Sequence, residues 1–76
     1  MERVIQLISR IGGVPLLTPD TGIYEAGFSS LRVLELLLAL EDEFGITIPD
    51  QDFITARTPR DIAGLLERLQ ERQQAA

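Results

Sequence analysis

The chain has 76 residues, a length that supports one folded domain and argues against two. Hydrophobic residues make up 45% of it, and three Phe, one Tyr and no Trp predict a core built mainly from Leu and Ile. Cysteine and histidine are both absent, which excludes disulfides, a thiolate zinc site, a thiol nucleophile and an imidazole base. No apolar run approaches the ~20 residues that span a bilayer, and no basic-then-apolar leader begins the chain, so we expect a soluble, cytoplasmic protein.

The net charge of −5 is unevenly distributed along the chain. Between Asp20 and Asp52, eight acids stand against one cation, Arg32, which gives this stretch a charge of −7. Residues 1–19 and 53–76 each carry a charge of +1. Acidity concentrated in one segment argues against nucleic acid as a partner and favours protein partners with basic surfaces.

The first predicted helix covers residues 2–11, where apolar side chains recur with helical spacing. Gly12 and Gly13 predict its end, and Pro15 prevents its continuation. Residues 13–29 then form a long connection, in which Thr18 followed by Pro19 predicts a single helical turn. A connection of this length usually has a function. We expect four apolar residues to anchor it to the core: Leu16, Leu17, Ile23 and Tyr24.

The second predicted helix, residues 30–44, is apolar on more than one face. One stripe, predicted to face the core, consists of Val33, Leu36, Leu37, Leu40 and Phe44. The other stripe consists of Leu31, Leu34 and Leu38, interleaved with Glu35, Glu41 and Asp42. A central helix buried all round is one explanation. Because unpaired buried carboxylates are costly, we favour the other explanation, a surface that binds partners.

Two further helices complete the predicted fold, which is all-α: three long helices and one short helix in a small bundle with a long first loop. Gly45 predicts the end of the second helix, and residues 46–49 are extended. Asp50 is predicted to cap a short helix over residues 50–54 that buries Phe53 or Ile54. A capping box at residues 58–61, with Asp61 in place of the usual Glu, begins the last helix, residues 59–72, and the remaining residues should fray. Residues 1–76 therefore form a single domain.

Ser29 and Ser30 lie at the start of the second helix, just after Gly27. A serine there can cap the helix, or it can carry an anionic ester that the helix dipole favours. The absence of His and Lys, and of a glycine after the serine, argues against a catalytic nucleophile. The acids at positions 41–43 diverge around the helix and lack loop carbonyls, so we predict no metal site.

In this order and spacing, the residues resemble the acyl carrier protein family over nearly the whole chain. Four segments carry the resemblance: Gly27–Leu31, Val33–Glu41, Phe44–Asp50 and Thr58–Ile62. The resemblance implies a four-helix bundle of the acyl-carrier type. It also implies that a phosphopantetheinyl transferase moves the phosphopantetheine arm of coenzyme A onto a serine, and that cargo is held as a thioester on the arm's thiol.

The resemblance assigns the arm to Ser30. In the family, the modified serine directly precedes the leucine that starts the helix, with a glutamate five residues on and an aromatic residue fourteen on. Leu31, Glu35 and Phe44 meet these conditions for Ser30, whereas Ser29 fails each by one position. The second helix would then be read by the transferase, by a ligase or transferase that loads an acyl or aminoacyl group, and by downstream enzymes. Their apolar pockets would take Leu31, Leu34 and Leu38, and their basic patches would meet Glu35, Glu41 and Asp42.

Two positions depart from the family pattern: Ser29 replaces the usual aspartate, and Arg32 replaces a residue that is commonly acidic or polar. These departures favour a divergent stand-alone carrier that only some transferases accept. We expect a non-catalytic monomer that carries acyl groups for fatty-acid, polyketide or other specialised biosynthesis. An aminoacyl or peptidyl carrier, and an unmodified adaptor that acts only through the second helix, remain alternatives. The sequence leaves the cargo open, and also whether the cargo folds back between the helices.

Overall fold

The computed structural model describes residues 2–14 and 17–74, and this part of the chain contains four helices. They are α1 (Glu2–Gly12), α2 (Ser30–Phe44), α3 (Asp50–Thr55) and α4 (Pro59–Gln74). The all-α fold with three long helices and one short helix is thus confirmed. α1 packs against α2 and α4, and α3 packs against α4. In the described residues, no helix is both long and apolar enough to cross a membrane.

All four helices begin at the predicted residue, and three of them, α1, α3 and α4, end one or two residues later than predicted. α1 continues through Gly12, because the left-handed residue that ends it is Gly13, with φ of 66°. The Val14 N–H then donates to the Ser9 carbonyl at 3.1 Å, which closes the helix end. α3 extends one residue further than predicted, to Thr55, and α4 two residues further, to Gln74. The predicted fraying is therefore wrong for residues 73 and 74, because the Gln73 side chain accepts from the Thr47 N–H at 3.0 Å and donates to the Thr47 carbonyl at 2.8 Å.

The core is mainly Leu and Ile, as composition predicts. In the predicted inner stripe of α2, Leu36, Leu37 and Leu40 are buried, while Val33 and Phe44 are half-buried against the core. Phe53 is the residue that α3 buries, since Ile54 is 62% exposed. The buried residues of the described chain are Val4, Leu7, Ile8, Ile23, Phe28, Leu36, Leu37, Leu40, Ile46, Ile48, Phe53, Ala56, Pro59, Ile62, Leu65, Leu66 and Leu69.

Capping differs from prediction at α3 and in detail at α4. Pro49 is the N-cap of α3 and provides no side-chain hydrogen bond, while Asp50 is already helical, so the predicted Asp50 cap is wrong. At α4, the Thr58 hydroxyl accepts a hydrogen bond from the Asp61 N–H at 3.1 Å. The Asp61 carboxylate accepts from the N–H of Arg57, one residue before the cap, at 3.2 Å. At α3, the extended backbone is at Pro49, with φ of −62° and ψ of 134°, so the helix begins one residue earlier than an Asp50 cap would require.

The long first connection is anchored by turns rather than by the helical turn predicted at Thr18. There, the Thr21 N–H donates to the Thr18 carbonyl at 3.2 Å, which forms a tight turn, and the two hydroxyl oxygens are 2.6 Å apart. Ile23 is buried, whereas Tyr24 is 45% exposed and does not anchor the loop. Leu17 packs against the core, while Pro15 and Leu16 lie outside the described residues.

The start of α4 holds this connection in place. The Ile23 N–H donates to the Arg57 carbonyl at 2.9 Å, and the Arg60 N–H donates to the Pro19 carbonyl at 3.0 Å. The Arg60 guanidinium also donates to both oxygens of Asp20, at 2.9 and 3.2 Å. These long-range bonds join the connection to the opposite end of the sequence, so it is ordered without regular secondary structure.

We expect the Asp20–Arg60 pair to make stability depend on pH. The hydrogen bond from Arg60 holds the pKa of the Asp20 carboxyl below its usual value. The pair therefore stabilises the fold above the ordinary aspartate pKa, and this contribution is lost as the pH falls through the lowered value. In urea unfolding, Asp20→Asn should be less stable than wild type at pH 6, and the difference should shrink below about pH 4. Arg60→Gln should lower the free energy of unfolding by the same amount, and the double variant should lose no more than either single variant. Losses that add in the double variant would contradict the pairing.

Candidate functional site

The two serines before α2 have different roles in the structure. Ser29 is the N-cap: its backbone is extended, with φ of −83° and ψ of 167°, and its hydroxyl accepts a hydrogen bond from the Arg32 N–H at 3.3 Å. Ser30 is the first residue of the helix and is exposed. Within the described residues, the Ser30 hydroxyl makes no hydrogen bond, whereas that of Ser29 does. Capping therefore belongs to Ser29, which leaves the Ser30 hydroxyl available for chemistry.

Substitution of Ser29 tests the capping role. Ser29→Ala should lower the free energy of unfolding by ~1 kcal/mol, because one N–H of the first turn loses its acceptor. Ser29→Asp should retain full stability, since a carboxylate caps as well and its charge suits the helix N-terminus. Urea unfolding of the three proteins measures both effects. Equal stability of wild type and Ser29→Ala would show that the bond contributes nothing.

Phe28 orients this corner of the protein, a role that the sequence analysis did not assign to it. Phe28 is buried, and its N–H donates to the Ile23 carbonyl at 3.1 Å. Its ring lies on the end of α1, so close that a Cβ atom on Gly12 would stand 2.3 Å from the ring. Gly27, with φ of 109°, supplies the backbone turn that precedes the ring. Phe28 thus faces the core while Ser29 and Ser30 emerge into solvent. A lone aromatic residue between a glycine and two serines was the available signal.

The outer face of α2 is strongly apolar. Leu31, Leu34 and Leu38 are 66%, 52% and 57% exposed, so the second stripe is not packed inside the bundle. Ile54 of α3, 62% exposed, joins Leu34 at the edge of the same surface. Ile54 was not predicted to belong to this surface, because the sequence predicted only that α3 buries either Phe53 or Ile54. Four large exposed aliphatic side chains this close together indicate a site for an apolar partner surface.

A small cleft separates α2 from α3 and opens beside Ser30. Its volume is about 200 Å³, below the 300–1,000 Å³ that is typical of small-molecule pockets. It is lined by Ser30, Val33, Leu34, Leu37, Asp50, Phe53 and Ile54. The lining is apolar apart from Ser30 at one edge and the single carboxylate of Asp50. A slender group attached to Ser30 could lie in this cleft, whereas a bulky ligand could not.

The acids of α2 differ in what they contact. Glu35 forms an ion pair with Arg32 at 2.9 Å, on the same helix. The Glu41 carboxylate accepts a hydrogen bond from the Ile48 N–H at 2.8 Å, and so holds the connection between α2 and α3. Asp42 is exposed. Glu43 forms an ion pair with Arg3 of α1. Among the predicted docking acids, Asp42 alone makes no ion pair or hydrogen bond through its side chain to the described residues.

The acidic side chains of α2 do not converge on a common point, although three of them are consecutive in sequence. In the part of the chain that the structure describes, no three acidic side chains lie close enough together to hold a metal ion. Glu41 and Glu43 instead make separate contacts, one with a backbone N–H and one with an arginine. Carboxylates used in this way stabilise the fold locally and leave a charged rim beside the leucines.

Comparison with known proteins agrees with this geometry. Residues 2–66 match the family model described as a phosphopantetheine attachment site. The acyl carrier protein of Syntrophobacter fumaroxidans is 35% identical over 69 residues, which cover 87% of this chain and 85% of that protein. The acyl carrier protein of Bdellovibrio bacteriovorus is 41% identical over 46 residues, covering 60% of this chain and 59% of that one. A non-reducing polyketide synthase, Preu3 of Preussia isomera, is 31% identical over 70 residues, or 90% of this chain and 3% of the synthase.

A solved structure supports the fold. The solution structure of a docking-domain complex of the Pax NRPS superposes with a TM-score of 0.85 at 19% identity, over 95% of this chain and 69% of that one. At that identity the likeness shows the fold alone. The family model covers most of the chain and the Syntrophobacter fumaroxidans protein aligns with nearly all of it, and both indicate covalent phosphopantetheine as the cofactor. The chain therefore belongs to the acyl carrier protein family, whose members are carriers of covalently attached groups.

Proposed function

We propose that this protein holds an acyl group as a thioester on a phosphopantetheine arm attached to Ser30, and delivers it to partner enzymes of fatty-acid, polyketide or other specialised biosynthesis. The observation that carries the proposal is the exposed Ser30 hydroxyl at the first residue of α2, released from capping by Ser29. In the attachment step, the Ser30 oxygen bonds to the phosphorus next to pantetheine, adenosine 3′,5′-bisphosphate leaves, and a base on the transferase takes the hydroxyl proton.

The surroundings of Ser30 suit such an arm. A phosphodiester there would carry a negative charge at the N-terminus of a 15-residue helix, where backbone N–H groups and the helix dipole favour anions. The described first turn of α2 has no acidic residue to oppose that charge. The adjacent apolar cleft could take the part of the arm nearest the serine. The arm supplies the thiol that this chain, which has no cysteine, lacks.

The outer face of α2 is the proposed docking surface. Leu31, Leu34 and Leu38 would enter apolar pockets on partner enzymes, with Ile54 extending the contact. Glu35, Glu41 and Asp42 are the acids beside these leucines that basic residues of a partner could reach, and the structural contacts of Glu35 and Glu41 leave Asp42 the most available. The area is small, so each complex should be weak, as a carrier that visits several enzymes requires.

The partners follow from this role. They are a phosphopantetheinyl transferase, a ligase or transferase that loads an acyl or aminoacyl group, and downstream enzymes with basic docking patches. In this proposal the protein itself is non-catalytic, because the reactive groups belong to the arm and to the partners. It is proposed to act as a monomer in the cytoplasm. The replacement of the usual aspartate by Ser29 favours a specialised cargo over that of ordinary fatty-acid synthesis.

The proposal is tested by intact-protein mass measurement. After incubation with coenzyme A and a broad-specificity transferase, the protein should gain the mass of one phosphopantetheine. A protein that gains no mass would instead be an unmodified adaptor acting through α2. The mass of the group bound to the arm, measured on protein from the native host, distinguishes an acyl carrier from an aminoacyl or peptidyl carrier.

A further inference from the structure

The charge on the outer face of α2 is divided along the helix. The half that begins at Ser30 contains one cation, Arg32, and one acid, Glu35, which pair with each other at 2.9 Å. The half that ends at Phe44 contains Glu41, Asp42 and Glu43 and no cation of its own; Arg3 of α1 pairs with Glu43, so the excess negative charge lies on Glu41 and Asp42. The Ser30 end is therefore apolar without net charge, and the negative charge lies about three turns from Ser30.

Arg32 lies on the flank of the leucine surface that faces away from α3. At 100° per residue, Arg32 and Glu35 share that flank, whereas Ser30 and the cleft lie on the other side of the leucines. The Arg32 and Glu35 side chains remain 55% and 45% exposed, so a docked protein can reach both. An exposed ion pair of this kind is weak, and a partner's charged group could replace either member.

We propose that Arg32 determines which partners dock: the partner surface over the Ser30 end of α2 is apolar with an acidic side chain opposite Arg32, and basic residues meet only the Phe44 end. The proposal rests on the proposed function. A uniformly basic patch would place like charges against Arg32, and Arg32 neutralises Glu35, the nearest acid that could attract such a patch. A partner carboxylate would instead meet the guanidinium fork, which donates two parallel hydrogen bonds to such a group.

The first experiment uses a broad-specificity phosphopantetheinyl transferase with a basic docking surface. Its kcat/KM for coenzyme A-dependent modification is measured on wild type, Arg32→Gln, Glu35→Gln and the double variant. Arg32→Gln should raise kcat/KM by about 3–10-fold, because repulsion is removed and Glu35 is released. In the Glu35→Gln background, Arg32→Gln should raise kcat/KM by a smaller factor, since it then removes the repulsion but releases no acid. Both effects should weaken in 0.5 M salt.

A matched control and a reciprocal test complete the design. Arg72→Gln, which removes an exposed arginine at the far end of α4, should leave kcat/KM unchanged. The reciprocal test uses transferase variants that each have one arginine or lysine of the basic docking surface changed to glutamate. At least one of these transferases should modify the wild-type carrier faster than it modifies Arg32→Gln. The inference would be overturned if Arg32→Gln left kcat/KM unchanged or lowered it. It would also be overturned if every transferase variant modified wild type no faster than Arg32→Gln. If wild type and all variants gain no mass, the proposed function fails instead.

Discussion

Replacement of Ser30 by alanine is expected to abolish phosphopantetheine attachment, whereas Ser29→Ala should still be modified to completion. The two hydroxyls are adjacent in sequence, but that of Ser29 accepts the capping hydrogen bond at 3.3 Å and that of Ser30 is exposed at the first helical residue. The modification requires a free oxygen nucleophile, which alanine removes entirely. Intact mass after incubation with coenzyme A and a broad-specificity transferase gives the result directly.

Stability measurements separate loss of the acceptor from loss of the fold. The free energy of unfolding of Ser30→Ala should lie within ~0.5 kcal/mol of the wild-type value, because the hydroxyl that is removed is exposed and makes no hydrogen bond to the described residues. Ser29→Ala should lose ~1 kcal/mol through its cap, yet gain the full mass. A mass gain on Ser30→Ala would show that another residue carries the arm, and a folded Ser29→Ala that gains none would reassign the arm to Ser29.

Gly12→Ala is expected to destabilise the protein by about 1–2 kcal/mol. The new Cβ would stand 2.3 Å from two atoms of the Phe28 ring, which is buried and cannot move freely. Overpacking of this kind costs about 1–3 kcal/mol, and the better helix propensity of alanine offsets less than ~1 kcal/mol of it. The loss is a substantial share of the roughly 4–11 kcal/mol expected for a chain of this length. Urea unfolding monitored by circular dichroism measures it.

A double-variant cycle shows whether the ring is the cause. Phe28→Leu should destabilise wild type, but should cost less or even stabilise in the Gly12→Ala background, because the shorter side chain removes the clash. Gly64→Ala on α4 is a control, since its nearest neighbour would be an Arg68 nitrogen at an ordinary 3.7 Å. Additive effects of the Gly12 and Phe28 substitutions would contradict the close packing seen here.

The displaced ring should also affect Ser30. Phe28 lies two residues before Ser30 and is the buried anchor from which the chain emerges. Gly12→Ala should therefore lower kcat/KM for modification of Ser30, and Phe28→Leu in the same chain should restore part of it. Unaltered kcat/KM in a folded Gly12→Ala protein would mean that the position of Ser30 is independent of this contact.

Sequence patterns identified the faces of α2 correctly because helical periodicity alone decides which residues share a face. Leu36 and Leu37 are buried and Leu31 and Leu38 are exposed, as the interleaved acids indicated. The same patterns could not distinguish the contacts of the acids. Glu35, Glu41 and Asp42 look alike in sequence, yet their contacts differ. Glu35 pairs with an arginine, Glu41 accepts a hydrogen bond from a backbone N–H seven residues away, and Asp42 makes neither contact with the described residues.

Two local patterns were enough to predict much of this protein: the amphipathic periods and the family motif spacing predicted the four-helix fold, and the motif spacing predicted Ser30 as the attachment residue. The tertiary structure decided how that serine is presented. It assigned capping to Ser29, seated Phe28 on Gly12, and tied Asp20 to Arg60, forty residues away. Such contacts join segments that are distant in sequence, and their partners are selected by packing and backbone direction, which no local pattern specifies.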